Sequence, residues 1–121
     1  MATIVDLPTF SDSRGSLTVL EQAVPFAVRR VYFIYGADGL RGGHRHKKNH
    51  QILVAVAGSC EIFVNNGREK SVFVLDSPAK GLVLELEDWH TMDKFSPGCV
   101  LLALASEPYD VTDYIDEPYS A

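Results

Sequence analysis

Three of the four histidines lie close together in Arg41-Gly42-Gly43-His44-Arg45-His46-Lys47-Lys48-Asn49-His50. Imidazole is the side chain whose ordinary pKa permits it to take and give a proton near neutrality. Residues two apart on an extended strand face the same side, so His44 and His46 point together. Ile52, Val54 and Val56 share their parity. With an unbroken register, that parity turns both imidazoles into the interior of a barrel. One histidine alone would read as a polar loop residue. Two that face inward, beside a Gly-Gly pair and the cations Arg41, Arg45, Lys47 and Lys48, read as a base, a proton donor and an anion-attracting patch. His50 divides evenly between a structural and a functional role. The fourth histidine sits in Asp88-Trp89-His90-Thr91-Met92. There Trp89 is a candidate pocket wall, and His90 is either a site residue or a rim residue without a partner.

The elements that must hold these residues are short and β-type. Ser16–Leu20, Val28–Tyr35, Gln51–Ala57, Cys60–Val64, Val72–Leu75, Gly81–Leu86 and Val100–Ala105 are rich in β-branched and aromatic residues and are separated by turn signals. Asn65-Asn66-Gly67 is the strongest hairpin signal, because Asn and Gly accept positive φ. No segment keeps a helical period. The nearest is the short acidic tail Asp110–Glu117. Many short strands at this spacing predict an all-β sandwich or barrel, and a jelly roll fits the length.

With 121 residues the chain suits one domain, 1–121, with a core large enough to fold unstapled. No apolar run approaches the ~20 residues that span a bilayer, and Met1 to Phe10 show no leader pattern. A cytoplasmic location and no membrane partner are therefore expected, with Cys60 and Cys99 as buried thiols. The net charge of −5 argues against a nucleic-acid partner but not against a small phosphate-bearing ligand.

Asp12-Ser13-Arg14-Gly15-Ser16-Leu17, Arg30-Val31-Tyr32-Phe33-Ile34-Tyr35, the Arg41–Lys48 block and Trp89-His90-Thr91-Met92 together resemble the WxcM-like, FdtA-type sugar 3,4-ketoisomerases. The resemblance runs from about Asp6 to Tyr114. It implies a cupin jelly-roll barrel that moves the carbonyl of a dTDP-linked 4-keto-6-deoxyhexose from C4 to C3 through an enediol, without metal or organic cofactor. On that reading His46 is the favoured base, because it lies deeper along its strand, and His44 relays or donates a proton. Tyr35 donates to a sugar oxygen, or else packs as an ordinary strand aromatic. Arg41 pairs with the diphosphate or a sugar oxygen, and Arg14 contacts the nucleotide. His90, Trp89 and Lys48 are further candidate contacts, although Lys47 and Lys48 read first as solvated charges. The resemblance also implies a homodimer with exchanged N-terminal strands, with which the apolar segment Ala2–Leu7 is compatible. A glutamate that metal-binding cupins place four or five residues after the paired histidines is replaced here by His50 and Gln51. A site of three histidines, His44 and His46 with His90 or His50, is the metal-dependent alternative.

Overall fold

The computed structural model describes residues 1–120. Among the described residues there are twelve strands: β1 Thr3–Asp6, β2 Thr9–Asp12, β3 Gly15–Thr18, β4 Arg30–Tyr35, β5 Arg41–His46, β6 Gln51–Ala57, β7 Cys60–Asn65, β8 Lys70–Leu75, β9 Lys80–Leu84, β10 Trp89–Asp93, β11 Val100–Ala105 and β12 Tyr114–Ile115. One sheet runs β1-β9-β6-β11-β4 and the other β12-β5-β10-β7-β8, with every pairing antiparallel. The two sheets face each other as the jelly roll of a cupin. The β2–β3 hairpin stands apart from both.

Between the sheets lie Leu53 and Ala55 of β6, Leu101 and Ala103 of β11, Ile62 and Val64 of β7 and Met92 of β10. Each fully buried aliphatic side chain contributes about 2 kcal/mol by leaving water. A second apolar cluster covers the outside of the first sheet. There Ile52, Val54, Val83 and Leu104 pack under Leu7, Leu20, Val24 and Phe26. Strand β6 is thus covered on both faces, which is why its sequence is almost continuously apolar.

This corrects the parity argument. Ile52 and Val54 face outward and the odd-numbered residues face the interior. The segment 47–50 lies between β5 and β6, which belong to different sheets, so side-chain alternation does not carry across it. His44 and His46 do face the interior, but β5's own pairing sets their direction.

That pairing contains the device that shapes the site. His90 lies opposite His44 and Met92 opposite Arg41, while Thr91 lies opposite Gly42, which leaves Gly43 as an extra residue. Cross-strand partners share a face, so this bulge turns both Arg41 and His44 inward, although plain alternation would separate them. Gly42 and Gly43 have φ of 82° and 88°, a region that L side chains avoid. A Cβ on Gly42 would stand 3.1 Å from the His90 carbonyl oxygen.

Cys60 and Cys99 are free and buried, as expected, and burial pushes the Cys60 thiol up to about 12. Among the described residues, no helix is long and apolar enough to cross a membrane.

Candidate active site

The imidazoles gather at the end of the barrel where β5 finishes and β6 begins. The His44 ring lies 5.0 Å from His46 and 5.2 Å from His90, centroid to centroid. Tyr114 closes the cluster, with its ring 4.6 Å from His44 and 4.8 Å from His46. It reaches this place because β12 pairs with the free edge of β5, Tyr114 opposite His46.

The tail also supplies a carboxylate. Asp113 ends a single 3-10 turn, Val111–Asp113, that Asp110 caps by accepting the Thr112 N–H. Its Oδ1 accepts the Lys48 backbone N–H, and its Oδ2 lies 2.8 Å from His46 Nδ1. A carboxylate there accepts from Nδ1–H, so the network assigns the proton to Nδ1 and leaves a lone pair on Nε2. Nε2 is buried and has no hydrogen-bond partner among the described residues. A buried nitrogen of that kind requires a reason. His90 Nε2 is buried and unpartnered in the same way, and of the three imidazoles it is His44 that lines the neighbouring cavity.

The cavity beside His44 measures 270 Å³ and is lined by Arg30, Tyr32, Arg41, Gly42 and Tyr114, among others. The Arg30 guanidinium lies over the Tyr32 ring at 4.5 Å. The Tyr32 hydroxyl accepts from Gln51 Nε2 at 3.0 Å, so its own proton remains free to donate. Burial raises the Tyr32 phenol above its ordinary pKa, which keeps that proton in place.

Burial also holds all three imidazoles neutral. His44 is lowered to about 4, first by desolvation and then by its neighbour His46. His90 is likewise lowered to about 4 by desolvation, while its Nδ1 sits 3.1 Å from the Asp88 carbonyl oxygen. His46 is lowered by desolvation too, but Asp113 opposes that effect. At neutral pH the cluster is thus a set of free bases.

The expected site residues divide. His44, His46, His90 and Arg41 are brought together, with His90 only 1% exposed behind His44. Tyr35 is not among them. Alternation along β4 turns Tyr32 inward and leaves Tyr35 71% exposed on the outer face, beside Phe33. Trp89 faces outward from β10, and its indole N–H donates to the Asp116 carbonyl. Lys48 contributes its backbone N–H rather than its ammonium group. Arg14 lies at the tip of the β2–β3 hairpin, paired with Asp12 at 2.6 Å and outside the cavity lining. His50 stands apart from the cluster, 3.6 Å from Glu85. Among the described residues, no group of three or more His, Cys, Asp or Glu side chains is arranged to hold a metal ion.

Asp113, Tyr114, Tyr32, Gln51 and Arg30 were not singled out as site residues from sequence. For Tyr32 a signal existed: it shares β-parity with Arg30, whereas Tyr35 does not. For Asp113 and Tyr114 the only hint was an acidic, tyrosine-bearing tail.

Fold and cluster define a cupin barrel with acid–base groups at one end. A family model described as FdtA: WxcM-like, C-terminal, matches residues 1–120. Over 116 residues the chain is 43% identical to the TDP-4-oxo-6-deoxy-alpha-D-glucose-3,4-oxoisomerase of Aneurinibacillus thermoaerophilus, covering 93% of this chain and 84% of that protein. Among solved structures, the WlaRB TDP-quinovose 3,4-ketoisomerase of Campylobacter jejuni superposes with a TM-score of 0.91 at 40% identity, covering 96% of this chain and 92% of that one. A variant of the QdtA 3,4-ketoisomerase of Thermoanaerobacterium thermosaccharolyticum, in complex with TDP-4-keto-6-deoxyglucose, gives 0.92 at 38% identity, covering 96% and 87%. This chain belongs to the FdtA family of sugar 3,4-ketoisomerases.

Proposed function

We propose that this 3,4-ketoisomerase acts on a dTDP-linked 4-keto-6-deoxyhexose, in deoxysugar biosynthesis, with His46 as its base. The observation that carries the assignment is the buried His46 imidazole, held by Asp113 through Nδ1 while Nε2 is unpartnered. The C4 ketone acidifies the C3 hydrogen. His46 Nε2 takes that proton, and electrons move to form the C3–C4 double bond. The Tyr32 hydroxyl donates to O4, which stabilises the developing enediolate. His46 returns its proton to C4, and the O3 proton passes to O4 through the Tyr32 hydroxyl, which gives the 3-ketone. His44 stands beside His46 and Tyr114 as the relay, and His90 backs it. Arg30 and Arg41, two cations on the cavity lining, suit the diphosphate.

The test is NMR of TDP-4-keto-6-deoxyglucose incubated with the protein in D₂O. A 3-keto product is expected, with solvent label confined to C4 of the product and C3 of recovered substrate. His46→Asn should lower kcat by about 10² to 10⁴. Label at C5, or near-normal turnover in that variant, would remove the assignment.

The partner we propose is a second copy of the chain, with N-terminal strands exchanged. Two apolar surfaces support this. The β2–β3 hairpin exposes Phe10 and Leu17, which face each other across its strands. Strand β4, the open edge of its sheet, exposes Val31, Phe33 and Tyr35. In such a dimer, Arg14 and Tyr35 of one subunit would approach the other's substrate. A cytoplasmic location suits a nucleotide-sugar substrate.

A further inference from the structure

The part of the site that sequence does not announce comes from the last stretch of chain, which is held at its inner end by the short β12–β5 pairing and by the Lys47 and Lys48 N–H groups, both donating to Asp113. Strand β12 contains two residues and the preceding 3-10 turn three. Two side-chain bonds fasten it further along. The Trp89 indole N–H donates to the Asp116 carbonyl at 3.1 Å. The Tyr119 hydroxyl donates to the Glu87 carbonyl at 2.8 Å. Both anchors on the barrel side lie within three residues of His90.

Two glycines accommodate the fastening. Strand β5 lies between β10 and β12, so Trp89 must reach across it, and a Cβ on Gly43 would already touch the indole at 3.9 Å. Gly67, at φ 91° in the β7–β8 turn, lies under the Tyr119 ring, where a Cβ would stand 3.0 Å from Cδ1. The Arg45 guanidinium covers that ring at 4.8 Å.

We propose that Trp89 and Tyr119 are positioning residues, a clamp that seats the tail across β5 so that Asp113 stays on His46 and Tyr114 stays against His44 and His46. The clamp rests on the reading of His46 as base, but its geometry can be tested without catalysis. His46 is faced by Arg30 from β4, His44 from its own strand, His90 from β10, and Asp113 and Tyr114 from the tail. Of these, Asp113 is the group that favours its protonated form, against desolvation and Arg30. Loosening the tail therefore leaves the opposing effects in charge, and His46 titrates at lower pH.

The experiment compares wild type, Tyr119→Phe and Trp89→Phe/Tyr119→Phe. Tyr119→Phe keeps its ring and deletes only a donor, while Trp89→Phe deletes the second donor together with part of the indole that packs beside Phe63. Histidine ¹⁵N NMR titration of the substrate-free protein should show the His46 midpoint moving down in the double variant, with loss of the Nδ1–H tautomer preference. In turnover, kcat should fall about tenfold with KM within about twofold, since misplacing a catalytic group slightly has costs of this order. The acidic limb of the pH–rate profile should move the same way as the midpoint. A clamp that only stabilised the fold would lower Tm and leave midpoint, tautomer and limb in place, and that result overturns the proposal. A fall in kcat with an unmoved His46 signal overturns it as well. Should wild type lack isomerase activity, the NMR midpoint still decides the clamp. The single variant, which alters one partly buried hydroxyl, covers the case of a double variant that does not fold.

Discussion

Replacing Asp113 by asparagine tests the His46 assignment most sharply, because the structure dictates how the amide must sit. Two N–H groups point at the carboxylate: Lys48 N–H at Oδ1 and His46 Nδ1 at Oδ2, each at 2.8 Å. Asparagine has one oxygen to offer. The backbone donor of Lys48 cannot change its nature, so it keeps the oxygen and the amide nitrogen faces His46. Nδ1 must then accept, and the imidazole proton moves to Nε2, the atom proposed to take the C3 proton. The base is blocked while the fold keeps its shape. The variant also deletes the charge facing the imidazolium formed during reaction. At about 4 Å between charge centres and an effective dielectric near 20, that attraction is about 4 kcal/mol, or ~10³ in rate. The predicted result is a kcat lowered about a thousandfold, KM little altered and near-UV circular dichroism unchanged. Turnover would be followed by NMR of the keto-sugar. A folded Asp113→Asn protein that works within tenfold of wild type would refute the reasoning, since neither the tautomer nor the charge could then matter.

Two further outcomes are expected. Acid should weaken the fold through its buried histidines. The His90 imidazole titrates near 4 when folded and near 6.5 when unfolded, so between those values the unfolded chain binds a proton that the native state refuses. Stability is therefore fully present above pH 6.5 and is lost as pH falls toward 4, by about 2 kcal/mol from His90 alone between pH 7 and 4.5. Urea denaturation at both pH values should show that loss in wild type and a smaller one in His90→Gln; equal losses would refute it. Light scattering in solution should give twice the chain mass, and Phe10→Asp/Leu17→Asp should halve it. A monomeric wild type would end the dimer proposal.

Strands β3, β4, β6, β7, β8, β9 and β11 were legible because each carries β-branched or aromatic residues between turn signals, and β4 also shows its alternation openly. The paired histidines were legible as a motif, and the Gly-Gly pair beside them marked a special backbone. The inward direction of the histidines was reached by a wrong route, through Ile52 and Val54, which line the outside of the other sheet. Parity holds only inside one strand, and the chain changes sheets between β5 and β6. Arg41 lies three residues before His44, a spacing that plain alternation would place on opposite faces. Only the bulge reconciles them, and a bulge is a property of pairing with β10. Asp113 lies 67 residues from His46, on a single turn with no periodicity to read. Tyr114 belongs to a strand of two residues. Such elements exist because of what they dock against, so local sequence carries little of them.

The choice of base can now rest on electrostatics instead of depth along a strand. Three imidazoles within about 6 Å of one another cannot carry several charges in a site with little water. The cluster therefore holds one proton at a time, and the question is where that proton is most stable. His44 has His46 against it and only the Asp116 carboxylate in its favour. His90 has both other histidines against it and only a carbonyl oxygen in its favour. His46 alone has a buried carboxylate in direct contact. On the proposed mechanism, a proton taken from carbon therefore resides on His46. Because it remains poorly solvated there, it is readily given up again. A base that must return what it takes within one turnover needs that balance: enough stabilisation to pull a proton from C3, and enough burial to release it to C4.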